Sequence, residues 1–121
     1  LKARNPVHIV LRAIAAVGSL RRRAIYKAVR WATITAAKHE GVRIVHLSLQ
    51  RTHVHLLVEA EDKHVLARGM QAFQISAAKL INAAISKGKA ERRRGSVFPD
   101  RYHQEIIETP RQARRALRAP A

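Results

Sequence analysis

Apolar and polar positions alternate in the first patterned stretch, residues 5–12. Val7, Ile9 and Leu11 share one side of an extended chain, and His8, Val10 and Arg12 share the other. Gly18-Ser19 breaks the pattern, and Ser19 can cap a helix. From Leu20 to about His39 the period becomes helical: Ile25, Val29, Ala32 and Ala36 form an apolar stripe edged by cationic side chains, and Gly41 ends the element. Residues 42–49 and 52–59 predict two further strands joined by a tight antiparallel hairpin at Gln50-Arg51, a turn that sets Ser48 opposite His53 and His46 opposite His55.

A long helix follows Asp62, carried by Leu66, Met70, Phe73, Ala77, Leu80 and Ala84 and stopping near Lys87-Gly88; Gly69 predicts a weak point in its first turns. A basic loop and a fourth strand over residues 100–108 come next. Thr109-Pro110-Arg111-Gln112 then opens a last helix, with threonine at the cap, proline at the first position and glutamine where a capping box requires it. The order β-α-β-β-α-β plus a terminal helix predicts an α+β, ferredoxin-like sandwich over residues 1–121. It comprises a four-stranded antiparallel sheet with two helices on one face.

The strand over residues 52–59 carries the candidate chemistry. Alternation puts His53 and His55 on one side and Val54, Leu56 and Val58 on the other. The apolar set must face the helices, so the two imidazoles belong to the open face, half of a metal site. His8 and His46 fall on the same face, either as groups supporting the pair or as ordinary surface residues.

Composition sharpens this picture. Twenty-four Lys and Arg against 8 Asp and Glu give a formal charge of +16, a field that favours polyanions, nucleic acid first. Three clusters stand out: Arg21, Arg22 and Arg23 before the first helix; Lys87, Lys89, Arg92, Arg93 and Arg94 in the basic loop; and Arg111, Arg114, Arg115 and Arg118 along the last helix. Each is a candidate phosphate contact, with a solvated face as the alternative. Cysteine is absent, which excludes disulfide scaffolds and thiolate zinc sites, including those of zinc-dependent base deaminases, and is compatible with the cytoplasm as the expected compartment. No apolar run approaches the ~20 residues of a membrane span.

The run Gln50-Arg51-Thr52-His53-Val54-His55-Leu56-Leu57-Val58 resembles the His-hydrophobic-His centre of the IS200/IS605-type single-tyrosine transposases, and more closely their branch associated with repeat elements. Met70-Gln71-Ala72-Phe73, Asn82, Arg94-Gly95-Ser96-Val97-Phe98 and Arg101-Tyr102 resemble further segments of that family in the same order; Thr52 stands where the family usually has Asn. The resemblance implies that His53 and His55 hold a divalent cation, Mg2+ or Mn2+. It also implies that single-stranded or hairpin DNA is the partner, and that a tyrosine on the last helix attacks the phosphodiester.

Ala119 occupies that tyrosine's position, and the sequence ends before the polar residue that follows it in the family. Either the chain is truncated or altered there, or it is a relative that binds DNA without cutting it. Tyr102 is the weak alternative nucleophile, with a stacking or core-edge role as its other reading. The first branch of the family implies a homodimer, the second a monomer. Two competing functions remain open: a metal-independent endoribonuclease of ferredoxin-like fold, and a catalytically inactive DNA- or RNA-hairpin-binding module.

Overall fold

The computed structural model describes residues 6–117. It runs β1 (Val7–Arg12), a short 3-10 turn (Ala15–Val17), α1 (Arg23–Ala37), β2 (Val42–Leu49), β3 (His53–Ala60), α2 (Lys63–Ser86), β4 (His103–Ile106) and α3 (Pro110–Leu117). The strands form one sheet in the order β2-β3-β1-β4, every neighbouring pair antiparallel, the ferredoxin-like arrangement expected from the element order.

Ile9, Leu11, Val54, Leu56 and Val58 from the sheet meet Ile25, Val29, Met70, Phe73 and Ile81 from α1 and α2 in one core, all of them at most 1% exposed. Each such large side chain contributes about 1.5–3 kcal/mol. The ion pairs Arg12–Asp100 and Arg43–Glu59 lie at the surface and contribute about 0–1 kcal/mol apiece, so the core fixes the fold.

Local signals explain several boundaries. The Asp62 carboxylate accepts from Val65 N at 2.8 Å and starts α2; that bond, first among several causes, holds its pKa below the usual carboxylate value. The helix runs unbroken through Gly69, contrary to the weak point expected there. A Cβ on Gly69 would lie 2.9 Å from a Val42 methyl, so the glycine lets α2 approach β2 closely. Ser19 does not cap α1. Its hydroxyl accepts from Arg21 N at 3.2 Å in the preceding turn, and Arg22 takes the cap position without a side-chain bond. The chain is diverted there by the 3-10 turn and by Gly18, whose φ of 78° is left-handed.

β4 is shorter than residues 100–108, because Arg101 and Tyr102 lie outside the ladder with β1. The capping box of α3 forms as predicted: Gln112 N donates to Thr109 Oγ1 at 3.2 Å, and Thr109 N donates to Gln112 Oε1 at 3.0 Å. Ala113 and Ala116 of this helix pack against Leu57 and Ile107. Leu57 shares its face with His53 and His55, so α3 covers part of the sheet surface opposite α1 and α2.

The β2–β3 hairpin departs from the expected register. Ser48 pairs with His55 and His46 with Leu57, each shifted by two positions. The turn is wider than Gln50-Arg51, closing with Gln50 N donating to the His53 carbonyl at 2.9 Å. The Arg51 and Thr52 carbonyls accept from Leu20 N and Ala13 N, which tie the turn to the segment before α1. A bulge at Val45 also separates Ile44↔Val58 from His46↔Leu57. It keeps Ile44 and Leu47 both on the core side although they are three residues apart.

Candidate metal centre and nucleic-acid interface

His53 and His55 lie on the same face of β3, with ring centroids 6.5 Å apart and planes tilted by 50°. In both rings Nδ1 is already engaged. His55 Nδ1 shares a hydrogen bond of 3.0 Å with His8 Nε2 from β1, and the two rings stack with centroids 5.2 Å apart. His53 Nδ1 and the Thr52 hydroxyl are 2.9 Å apart. In each ring Nε2 is the nitrogen left for another ligand, and in His55 it is buried without a hydrogen-bond partner. Histidines that hold metals have one nitrogen fixed by the protein and the other on the ion; the His53 and His55 Nδ1 atoms meet the first condition, while the His55 Nε2 is closed off from solvent.

Burial lowers the His55 pKa from 6.5 to about 4, reinforced by the adjacent His8 and then His53. Burial also lowers that of His8, Glu105 opposing the shift and His103 adding to it. Neutral imidazoles are the form that ligates metal. Nitrogen–metal bonds of about 2.1 Å set adjacent imidazole centroids roughly 4.6 Å apart, so rotation of one ring is needed to close the pair on a shared ion. Among the described residues no group of three His, Cys, Asp or Glu could hold a metal ion. The donor set therefore fits an oxygen-preferring cation only if its remaining positions go to water, DNA or a neutral polar side chain.

Other members of the predicted set are placed as follows. His46 is on the same face of β2, beside Leu57. Arg12 lies directly across from His53, its guanidinium held by Asp100 Oδ2 at 2.8 Å; alternation along β1 places it on this face, a position not anticipated as part of the site. Tyr102 is on the other side: it packs against the main core and lines an open groove of about 680 Å³ with Gln71, Gln74 and Gln104. His103, its neighbour, pairs with Val10 and so faces the histidine side.

Arg21, Arg22 and Arg23 are exposed where α1 begins, and Arg111, Arg114 and Arg115 are exposed on α3; Arg118 and Ala119 lie outside the described residues. In the basic loop, Lys87, Lys89, Arg92 and Arg94 are exposed, but Arg93 is drawn inward. Its Nη1 donates to Asn82 Oδ1 at 2.6 Å, its Nη2 to the Ser96 carbonyl at 3.2 Å and its backbone N to Ser86 Oγ at 2.7 Å. Asn82, 6% exposed on α2, completes the clamp by donating to the Gly95 carbonyl at 3.0 Å. Asn82 and Ser86, four residues apart near the end of the long helix, are its two buried polar residues, and both hold Arg93.

Comparison with known proteins agrees with this architecture. No curated protein matches the chain. A crystal structure of a Deinococcus radiodurans protein, provisionally described as a transposase, superposes with a TM-score of 0.69 at 15% identity, covering 98% of this chain and 90% of that one. A tyrosine transposase associated with REP elements, solved with a REP hairpin, gives a TM-score of 0.61 at 10% identity over 95% of this chain and 65% of that one. At these identities the likeness is one of fold. The family model described as "Transposase IS200 like" matches residues 3–115, and this chain belongs to that family.

Proposed function

We propose that this protein binds single-stranded or hairpin DNA across the face of the sheet that carries His53 and His55. In this reading the Nε2 atoms of those two residues hold Mg2+ or Mn2+. The observation that carries the proposal is the matched engagement of both Nδ1 atoms, by Thr52 and His8, with the His55 Nε2 buried and without a hydrogen-bond partner. Family membership and the excess of cations supply the choice of nucleic acid as partner.

A divalent ion bound there would withdraw charge from a phosphodiester oxygen. The chain's own part is to keep the His55 imidazole neutral by burial, to engage the Nδ1 of each ring through His8 and Thr52, and to draw the phosphate backbone in with Arg12 and the exposed arginines of α3. Strand transfer by a tyrosine is not assigned, since position 119 carries alanine.

The test is a pair of titrations on the wild type and on the His53→Ala/His55→Ala variant. The expected result is loss of manganese binding by calorimetry, with salt-sensitive binding to a DNA hairpin largely retained. Equal manganese affinity in the two proteins contradicts the proposal, as does cleavage of a labelled RNA hairpin in EDTA, which would favour the endoribonuclease reading.

A further inference from the structure

The outer layer formed by α1 and α2 has a charge distribution unlike the rest of the molecule. Residues 21–39 contain no carboxylate, nor do residues 63–90; all eight Asp and Glu lie outside these two stretches. Both ion pairs among the described residues involve β-strand arginines, Arg12 and Arg43, so neither neutralises this layer.

Within that acid-free surface α1 exposes large apolar groups. Trp31, the only tryptophan of the chain, is 62% exposed, Ile34 45% and Tyr26 41%. The side of α1 that faces the core is built from Ile25, Ala28, Val29, Ala32 and Ala36, so packing does not account for Trp31. At 100° per residue, Arg23, Lys27, Arg30, Trp31 and Ile34 share one side of the helix, with Lys27 one turn before the indole and Arg30 beside it.

We infer that this side of α1 is a stacking platform for unpaired nucleotides, in which Trp31 takes a base face while Lys27, Arg30 and Arg23 contact the neighbouring phosphates. The inference extends the proposed DNA-binding function to a second surface, on the far side of the sheet from the histidines. Cations interleaved with aromatic rings are the pattern of single-strand grooves, where every base offers a π face and every linkage a charge. A second copy of the chain is disfavoured, since two acid-free cationic faces repel. A lipid surface fits less well, because a helix lying in a membrane segregates its apolar stripe from its cations, and the apolar stripe of α1 is already in the core.

Because Trp31 is the sole tryptophan, its fluorescence reports on this site alone. The experiment titrates the full chain with fluorescein-labelled oligothymidylate, reading tryptophan emission and dye anisotropy together. Parallel arms use an abasic oligomer of equal length, oligouridylate and anionic vesicles.

The expected result is quenching of Trp31 with the same midpoint as the anisotropy change, by both thymidylate and uridylate. The abasic strand should bind more weakly and leave emission unchanged. Trp31→Ala should weaken oligothymidylate binding about ten-fold, with Trp31→Phe retaining most of the affinity and both variants keeping the wild-type circular dichroism. Anisotropy that saturates while Trp31 stays silent overturns this inference and leaves the histidine-face proposal standing. Absence of any DNA binding overturns both. Trp31 emission that responds only to anionic vesicles, or that changes with protein concentration alone, overturns it in favour of a lipid surface or a second copy.

Discussion

Replacing Asn82 by alanine should unclamp the basic loop from α2 at a cost that the structure lets us work out. Two hydrogen bonds are lost: the short one accepted from the Arg93 guanidinium at 2.6 Å and the one donated to the Gly95 carbonyl at 3.0 Å. A bond to a charged group contributes about 1.5–3 kcal/mol and a neutral one about 1 kcal/mol. Arg93 is half-buried and regains water once released, which places the charged bond near the bottom of its range, so the expected loss is about 2–3 kcal/mol. A double-mutant cycle with Arg93→Ala isolates the pair, and urea unfolding of the four proteins should give a coupling of about 1.5 kcal/mol. DNA affinity should fall in Asn82→Ala with little change in its salt dependence, because Lys87, Lys89, Arg92 and Arg94 keep their charges. A coupling indistinguishable from zero would refute the clamp and return Arg93 to the solvent-facing cations.

Two further outcomes follow from the same structure. His55 has a folded-state pKa of about 4 against 6.5, so between those values the unfolded chain binds a proton that the folded chain does not. Stability of the protein in EDTA should therefore be unaffected by this group above pH 6.5 and fall as pH drops toward 4. After discounting for partial exposure the loss is about 1–2 kcal/mol, and most of it should vanish in His55→Gln; a flat urea-unfolding profile over that interval counts against the buried neutral imidazole. Tyr102 faces the helical side, so incubation with single-stranded DNA and manganese should give no denaturation-resistant adduct at that residue. Mass spectrometry finding one there would show the placement wrong.

Several features set by short-range chemistry were readable in advance, although Ser19 does not cap α1. The shared face of His53 and His55 follows from the two-residue repeat of a strand, and the cap of α3 follows from Thr109 and Gln112 three residues apart. Features set by distant partners were not. The hairpin register depends on Leu20 N and Ala13 N reaching the Arg51 and Thr52 carbonyls, contacts that no local pattern around Gln50 reveals.

The bulge at Val45 did leave a trace: the apolar positions of β2 change parity, from Val42 and Ile44 to Leu47 and Leu49. Gly69 belongs to the same class, since as an isolated residue it suggests a weak helix, whereas beside Val42 it permits close packing. The partner of His55 was visible only as one of two histidines on its face. His8 and His46 both pair with Leu57, from β1 and β2 on either side of β3, and the bond to His55 comes from His8.

The central claim is that one divalent ion is shared by two imidazole nitrogens from β3, and electron spin-echo modulation of bound manganese counts such nitrogens. The account predicts coupling to two imidazoles in the wild type, one in either single alanine variant and none in the double variant. Manganese that shows no imidazole coupling, or coupling that persists when both histidines are replaced, would contradict it.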